Sequence, residues 1–223
     1  MILCIETATT NCSVAIFKGA ECVGLKEDSS SGYSHNEQLH VFIQEVCAQA
    51  GVKLEDLKAV AVSKGPGSYT GLRIGVSAAK GLCYALSIPL IVIETLAVLA
   101  QPALGLSDII IPMIDARRME VYSSVLERQG RSLSPAQAVI LTKDAFAHYL
   151  KQTKVTFIGS GVEKWQTLCT HVNADFKSGV LPSARHMGRL ANELFVNKDF
   201  ADVAYFEPYY LKDFLAYINS AKS

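Results

Sequence analysis

Three strand-period runs in immediate succession, then an alternation of helical and strand periods, limit this chain to very few folds. Residues 2–6 are apolar, 13–18 alternate around Val14 and Ile16, and 21–26 follow a Lys18-Gly19-Ala20 turn. Leu39, Phe42, Ile43, Val46 and Ala50 then recur at helical spacing and stop at Gly51. Ser34 and Glu37 are spaced as a capping box at the start of that helix. Residues 59–63 read as a strand, 72–86 as a helix, 89–93 as a strand, and Thr95 as the cap of a third helix.

The order βββαβαβα has three antiparallel strands leading into parallel ones through crossover helices. It is the recurring half of the α/β actin-like (ASKHA), ribonuclease H-like fold. From Ile109 the pattern restarts more weakly, with strands expected at 109–114, 121–126, 138–141 and 155–158. Thr142 is expected to cap a helix running through Leu150, and a further helix is expected over 184–197. The aromatic tail 206–214, which contains Pro208, reads as extended and docked on the body. With 223 residues, the chain holds an N-terminal actin-like lobe, 1–105, and a smaller, truncated second lobe of the same kind, 106–223.

Charge narrows the function. Lys+Arg and Asp+Glu are each 21, so the formal net charge is zero. A protein that grips nucleic acid unaided carries a basic surplus, so contact with RNA is expected only through a partner. Six cysteines are scattered singly, without a C-x-x-C pair, and read as small core residues of a reducing compartment. No basic, cleavable leader follows Met1. The apolar run 88–99 is interrupted by Pro89 and Glu94 and is too short for a bilayer. A cytoplasmic protein without a membrane role is expected.

The most informative block is Gly65-Pro66-Gly67-Ser68-Tyr69-Thr70-Gly71, a glycine-rich turn between a strand and a helix. Such a turn can present backbone N–H groups to an anion. It fails the Walker pattern, since Leu72 and Arg73 follow Gly71, and Pro66 and Thr70 around Ser68 fail the nucleophile-elbow pattern. A structural turn is the simpler reading. On a helical wheel Leu72, Val76, Ala79, Cys83 and Leu86 form one apolar stripe, and Ile74, Ala78 and Ala85 a second. Gly75 and Leu82 fall between the stripes and Gly81 beside them. The apolar arc spans roughly 200°, wider than one sheet covers. Val41 and Ala48 likewise stand off the main stripe of the first helix. Burial by the chain's own second lobe and a subunit interface are the two readings of these faces.

Gly65–Gly75 and the following Ala79-Lys80-Gly81-Leu82 closely resemble the signature of the TsaB (YeaZ) family. So do Ile2-Leu3-Cys4-Ile5-Glu6-Thr7-Ala8-Thr9, His35-Asn36-Glu37-Gln38-Leu39, Asp115-Ala116-Arg117-Arg118-Met119-Glu120-Val121-Tyr122 and Glu207-Pro208-Tyr209-Tyr210-Leu211-Lys212. Glu6 stands where that family usually has Asp, and Tyr69 where it has Phe. The resemblance implies a catalytically silent paralogue of the enzyme TsaD. Such a protein binds TsaD through its two N-terminal-lobe helices, homodimerises through the same surface, and works with the ATPase TsaE. The product is N6-threonylcarbamoyladenosine at position 37 of tRNAs reading codons that begin with A. It places partner contacts at His35, Glu37, Gln38, Val41, Gln44, Glu45 and Ala48, and at Gly71, Arg73, Ile74, Gly75, Ser77, Ala78, Gly81, Leu82 and Ala85. On that reading Ala78→Arg or Gly75→Trp breaks pairing and spares the fold.

Two enzymatic alternatives remain in view. A small actin-like ATPase or kinase needs a glycine-containing phosphate hairpin after the first strand, and Glu6-Thr7-Ala8-Thr9-Thr10 has hydroxyls but no glycine. Thr7, Thr9, Gly159 and Gly161 keep a residual nucleotide site open. The chain is expected to carry no cofactor of its own, with ATP or ADP left open at the complex interface. A glycoprotease-like metallopeptidase needs paired ligands, but His35 and His40 stand about 140° apart on a helix. Glu94, Asp115 and Glu120 could pair as carboxylates.

Overall fold

The computed structural model describes residues 1–29 and 35–211. Strands β1 (Ile2–Glu6), β2 (Cys12–Lys18) and β3 (Glu21–Asp28) form the antiparallel meander. Helix α1 (His35–Ala50) crosses to β4 (Ala59–Gly65), which pairs parallel with β1. Helix α2 (Tyr69–Leu86) leads to β5 (Leu90–Glu94), parallel to β4, and α3 (Thr95–Ala100) follows. The sheet order is β3-β2-β1-β4-β5.

The second half repeats this plan with β6 (Ile109–Asp115), β7 (Glu120–Glu127), β8 (Ser132–Ile140), β9 (Val155–Gly159) and β10 (Ala174–Ser178). Its order is β10-β9-β6-β7-β8, with β7 antiparallel to both β6 and β8, and β9 parallel to both β6 and β10. The second lobe is therefore complete in strands and short in helices. Its crossovers α4 (Ala147–Leu150) and α5 (Val162–Gln166) have four and five residues, where α1 and α2 have 16 and 18.

Strand alternation sorts the first sheet onto two cores. Leu3, Ile5, Val14 and Ile16 face α1 and α2, burying Leu39, Phe42, Val46 and Val76. Ile2, Cys4, Ala15 and Phe17 face the other way, onto Ala184, Met187 and Ala191. Ala184 belongs to a 3-10 turn (Ala184–His186) and Ala191 to helix α6 (Gly188–Val196), with Met187 joining the two; this segment returns from the C-terminal half. The return is pinned by polar contacts. Asn11 Nδ2 donates to the Pro182 carbonyl at 3.0 Å, Ala184 N to Ser13 Oγ at 2.9 Å, and Ser183 Oγ and Arg185 Nη2 both to the Glu27 carboxylate at 2.6 Å.

Several local expectations are corrected. Strand β8 spans nine residues although 132–137 are poor in β-branched side chains; as an edge strand it tolerates Pro135. Strand β10 and helix α5 carry too weak a period to be anticipated. Thr142 caps no helix: α4 begins only after Phe146, which holds φ at +59°. The helix expected over 184–197 is split, because Ser183 Oγ accepts from Arg185 N and closes a separate 3-10 turn. Thr95 is the first residue of α3 rather than its cap, and its hydroxyl accepts from Gly65 N at 3.1 Å. The capping residue Ser34 and the tail beyond Leu211 lie outside the described residues. Among those described, all six cysteines are free and only Cys22 is exposed, and no helix is long and apolar enough to cross a membrane.

Candidate partner-binding surface

Helix α2 begins at Tyr69, three residues earlier than its apolar period suggests, because Ser68 caps it and its hydroxyl accepts from Gly71 N at 3.3 Å. From that start the helix presents three apolar faces. Leu72, Val76, Ala79 and Cys83 are buried against the sheet. Gly71 and Gly75 are also buried, against the segment after β1: a Cβ at Gly71 would overlap the Thr7 carbonyl oxygen, and one at Gly75 the Thr7 hydroxyl. Ile74, Ala78 and Leu82 are half-buried, packed on the edge of the first core with one side left open. With Asn36 and His40 of α1, and Arg73, Ser77 and Gly81 on the rim, they line an open groove of about 530 Å³.

The outward ridge of α1 continues this surface. Asn36, Glu37, His40, Val41, Gln44 and Ala48 are exposed, Val41 to 48%. The inward ridge of Leu39, Phe42, Ile43 and Val46 is buried in the first core. Each such side chain contributes about 1.5–3 kcal/mol by its removal from water. The exposed apolar surface of α1 and α2 is thus additional to what their own sheet covers.

Of the residues expected at a partner contact, His35, Gly71 and Gly75 are buried, and Gln38 and Glu45 pair with β3. His35 is buried, donating through Nε2 to the Thr9 carbonyl at 2.7 Å; burial lowers its basicity, and that hydrogen bond partly restores it. Gln38 donates to Asp28 at 3.1 Å and Glu45 pairs with Lys26 at 2.7 Å, so both turn toward β3. Gly71 and Gly75 serve the approach to Thr7. Gly75→Trp would therefore disrupt the fold itself and not pairing alone. Asn36 and His40 were missed, although their spacing of four with Gln44 places them on one ridge.

The glycine-rich segment is a clamp. Gly67 faces Ala8, whose carbonyl accepts from Ser68 N at 2.7 Å, and Gly65, at φ +113°, leaves room for the carbonyl of Tyr209. A side chain at either position would collide with main chain. Pro66 and Thr70 complete the turn, and the Tyr69 ring packs against Tyr210 at a tilt of 38°, centroids 4.8 Å apart, with the Arg73 guanidinium 5.3 Å from the Tyr69 centroid. Lys80 Nζ donates to the carbonyls of Ala204 and Phe206 at 3.2 and 2.9 Å, and Tyr209 N to Lys64 O at 2.7 Å. Residues 206–211 are thereby strapped along α2, as expected from sequence.

The residues of the residual nucleotide hypothesis are engaged within the chain. Thr7 is buried and donates to Gly71 O at 2.7 Å, and Thr9 Oγ1 accepts from Asn11 N at 3.4 Å. Gly159 packs on Met113 and Leu99, and Gly161 on Val121 and Met113. Glu6 is fully buried, accepting from Ser63 Oγ and, at 2.6 Å, from Ala8 N. Burial pushes its carboxyl up to about 7 despite the hydrogen bonds from Ser63, Ala8 and Thr7. Glu94 pairs with Lys64 at 2.9 Å and Asp115 with Lys164 at 2.5 Å, so these carboxylates are held by separate lysines.

The surface can be set beside known proteins. A family model described as TsaD: tRNA N6-adenosine threonylcarbamoyltransferase matches residues 29–220. The tRNA threonylcarbamoyladenosine biosynthesis protein TsaB of Escherichia coli (strain K12) is 30% identical over 226 residues, covering 97% of this chain and 96% of that one. Its namesake from Bacillus subtilis (strain 168) is 28% identical over 216 residues, covering 95% and 93%. The solved structure of YeaZ from Pseudomonas aeruginosa superposes with a TM-score of 0.81 at 26% identity, covering 94% of this chain and 99% of that one.

Proposed function

The chain belongs to the TsaB (YeaZ) family of tRNA threonylcarbamoyladenosine biosynthesis proteins, related to the TsaD transferases, and from that premise we propose that it acts as a non-catalytic partner subunit. It binds and activates the catalytic paralogue TsaD in forming N6-threonylcarbamoyladenosine at position 37 of tRNAs reading codons that begin with A. The ATPase TsaE joins that pair, and the assembly works in the cytoplasm. ATP or ADP, where it takes part, is held at the complex interface.

The observation that carries this reading is the outward face of α2, where Ile74, Ala78 and Leu82 floor a groove shared with α1. Apolar surface exposed by two adjacent helices gains by burial against another helical surface, and the small side chains Ala78 and Gly81 allow close approach. The silent-subunit reading is further supported by Thr7 and Thr9. Their hydroxyls lie in the turn after β1, and both bond to the chain itself.

A second copy of the chain is the competing occupant of the same face, and mass action decides between the two. The test is reconstitution of tRNA modification with the catalytic paralogue and TsaE. Product formation is expected to require this chain and to be lost with Ala78→Arg. Full activity without the chain, or with Ala78→Arg, would contradict the proposal.

A further inference from the structure

The groove between α1 and α2 is lined by one permanently charged side chain, Arg73, among Asn36, His40, Ser77 and the apolar floor. Arg73 is exposed, yet it is already held in place. Its Nη1 donates to the Tyr69 hydroxyl at 3.0 Å, one helical turn back, and its guanidinium stands 5.3 Å from the Tyr69 ring centroid. Tyr69 in turn packs against Tyr210 of the strap, residues 206–211, with centroids 4.8 Å apart. The strap is fixed at the neighbouring residue, where Tyr209 N donates to Lys64 O at 2.7 Å. A line of contacts therefore runs from the strap through Tyr69 to the rim of the groove.

Most of this guanidinium is unspent. Nη1 serves the Tyr69 hydroxyl, and Nε and Nη2 remain as donors. Arg128, Arg131, Arg185 and Arg189 each pair with a carboxylate, whereas Arg73 pairs with none among the described residues. A helix laid over Ile74, Ala78 and Leu82 also takes water away from Arg73, which lines the same groove. A guanidinium stripped of water without an anion is strongly unfavourable. The covering surface must bring the anion with it.

From this we infer that Arg73 is the charged anchor of the groove, receiving one carboxylate from an otherwise apolar helix of the catalytic paralogue, and that Tyr210 is a positioning residue that holds it ready through Tyr69. A planar fork takes a carboxylate two bonds at a time, and a side chain already held loses less freedom when its partner arrives. A second copy of the chain is a poorer occupant, since the residues lining the groove include no carboxylate to offer. A nucleic-acid backbone is poorer still, since it calls for several cations and the groove lining supplies one. The inference rests on the subunit role proposed above and adds the chemistry that the partner's face must carry.

The test measures affinity for the catalytic paralogue, over a range of salt, for the full chain and for Arg73→Met, Tyr210→Leu and the double variant, with self-association and tRNA binding alongside. Arg73→Met is expected to lose about tenfold or more toward the paralogue, with a shallower salt dependence, and to leave self-association and tRNA binding within about twofold of the parent. Arg73→Gln, which stays polar and drops the charge, is expected to lose as much and serves if Arg73→Met does not fold. Tyr210→Leu is expected to lose about fivefold in the parent background and nothing further in the Arg73→Met background, a coupling that a purely structural role of the strap would not give. Parent-like affinity of a folded charge-free variant, a Tyr210→Leu loss of equal size in both backgrounds, or a loss confined to self-association or to tRNA would overturn the inference. Failure of the parent chain to bind the paralogue would instead count against the subunit role.

Discussion

Gly71 and Gly81 lie on the same helix and answer to different constraints. A side chain at Gly71 would strike the Thr7 carbonyl, which as main chain cannot move aside, whereas nothing lies within 4 Å of a Cβ at Gly81. Gly71→Ala is expected to destabilise by about 3 kcal/mol, as overpacking does. Gly81→Ala should stabilise by about 0.5–1 kcal/mol by lowering the entropy lost on folding. Denaturant melts of the two variants would measure both, and equal effects would show that the helix does not press on Thr7. Glu6 gives a second prediction at this scale. Its folded pKa is raised from 4.5 to about 7 by burial, so the folded state disfavours the carboxylate. Below the unfolded pKa the acid is neutral in both states and costs nothing. Stability therefore falls as pH rises from about 4.5 to 7, by on the order of 3 kcal/mol, and is flat above that. Glu6→Gln should remove this slope, and a slope that persists in the variant would assign it to another group.

Among the elements, α2 shows how far a sequence can be read. Its stripe of Leu72, Val76, Ala79 and Cys83 follows from period alone, and the width of its apolar arc correctly signals surface beyond one sheet. Period does not say what each extra face meets. Gly71 and Gly75 look like sites of close helix approach, and they are, but the neighbour is Thr7 of the same chain, 64 residues from Gly71 in sequence. Likewise His35 and Gln38 occupy a helix surface by spacing, yet burial of His35 and pairing of Gln38 with Asp28 draw them inward, while Glu45 stays exposed in an ion pair with Lys26. Short elements were illegible for another reason. Helices α4 and α5 are too brief to display a period, and β10 as an edge strand carries little apolar alternation. The strap of residues 206–211 depends on Lys80 at its near end. Lys80→Met is expected to raise chymotryptic cleavage near Tyr205 and Tyr209 about fivefold, the equivalent of about 1 kcal/mol of lost hydrogen bonding. An unchanged cleavage rate would show that the tail is held by its aromatic contacts alone.

At the scale of the molecule, the two sheets are one plan used twice with different outcomes. Both have the same five-strand order and the same pairing senses. The first keeps long crossover helices and borrows α6 from the second half to cover its other face. The second has only short helices over its strands. The repeated plan was legible because the restart of strand periods at Ile109 mirrors the opening of the chain. The return of α6 was not, since packing between distant segments leaves no periodic trace. The long helices retained by the first lobe are what give the chain an apolar face to offer, and Ala78 lies on the floor of that face. The most direct measurement is the dissociation constant between this chain and its catalytic paralogue for the parent, for Ala78→Arg and for the exposed Lys154→Glu just before β9, with thermal melts alongside. Ala78→Arg should weaken binding by at least a hundredfold with the melting temperature of the free chain within a few degrees of the parent, and Lys154→Glu should bind like the parent. Parent-like affinity of a folded Ala78→Arg chain would contradict the account.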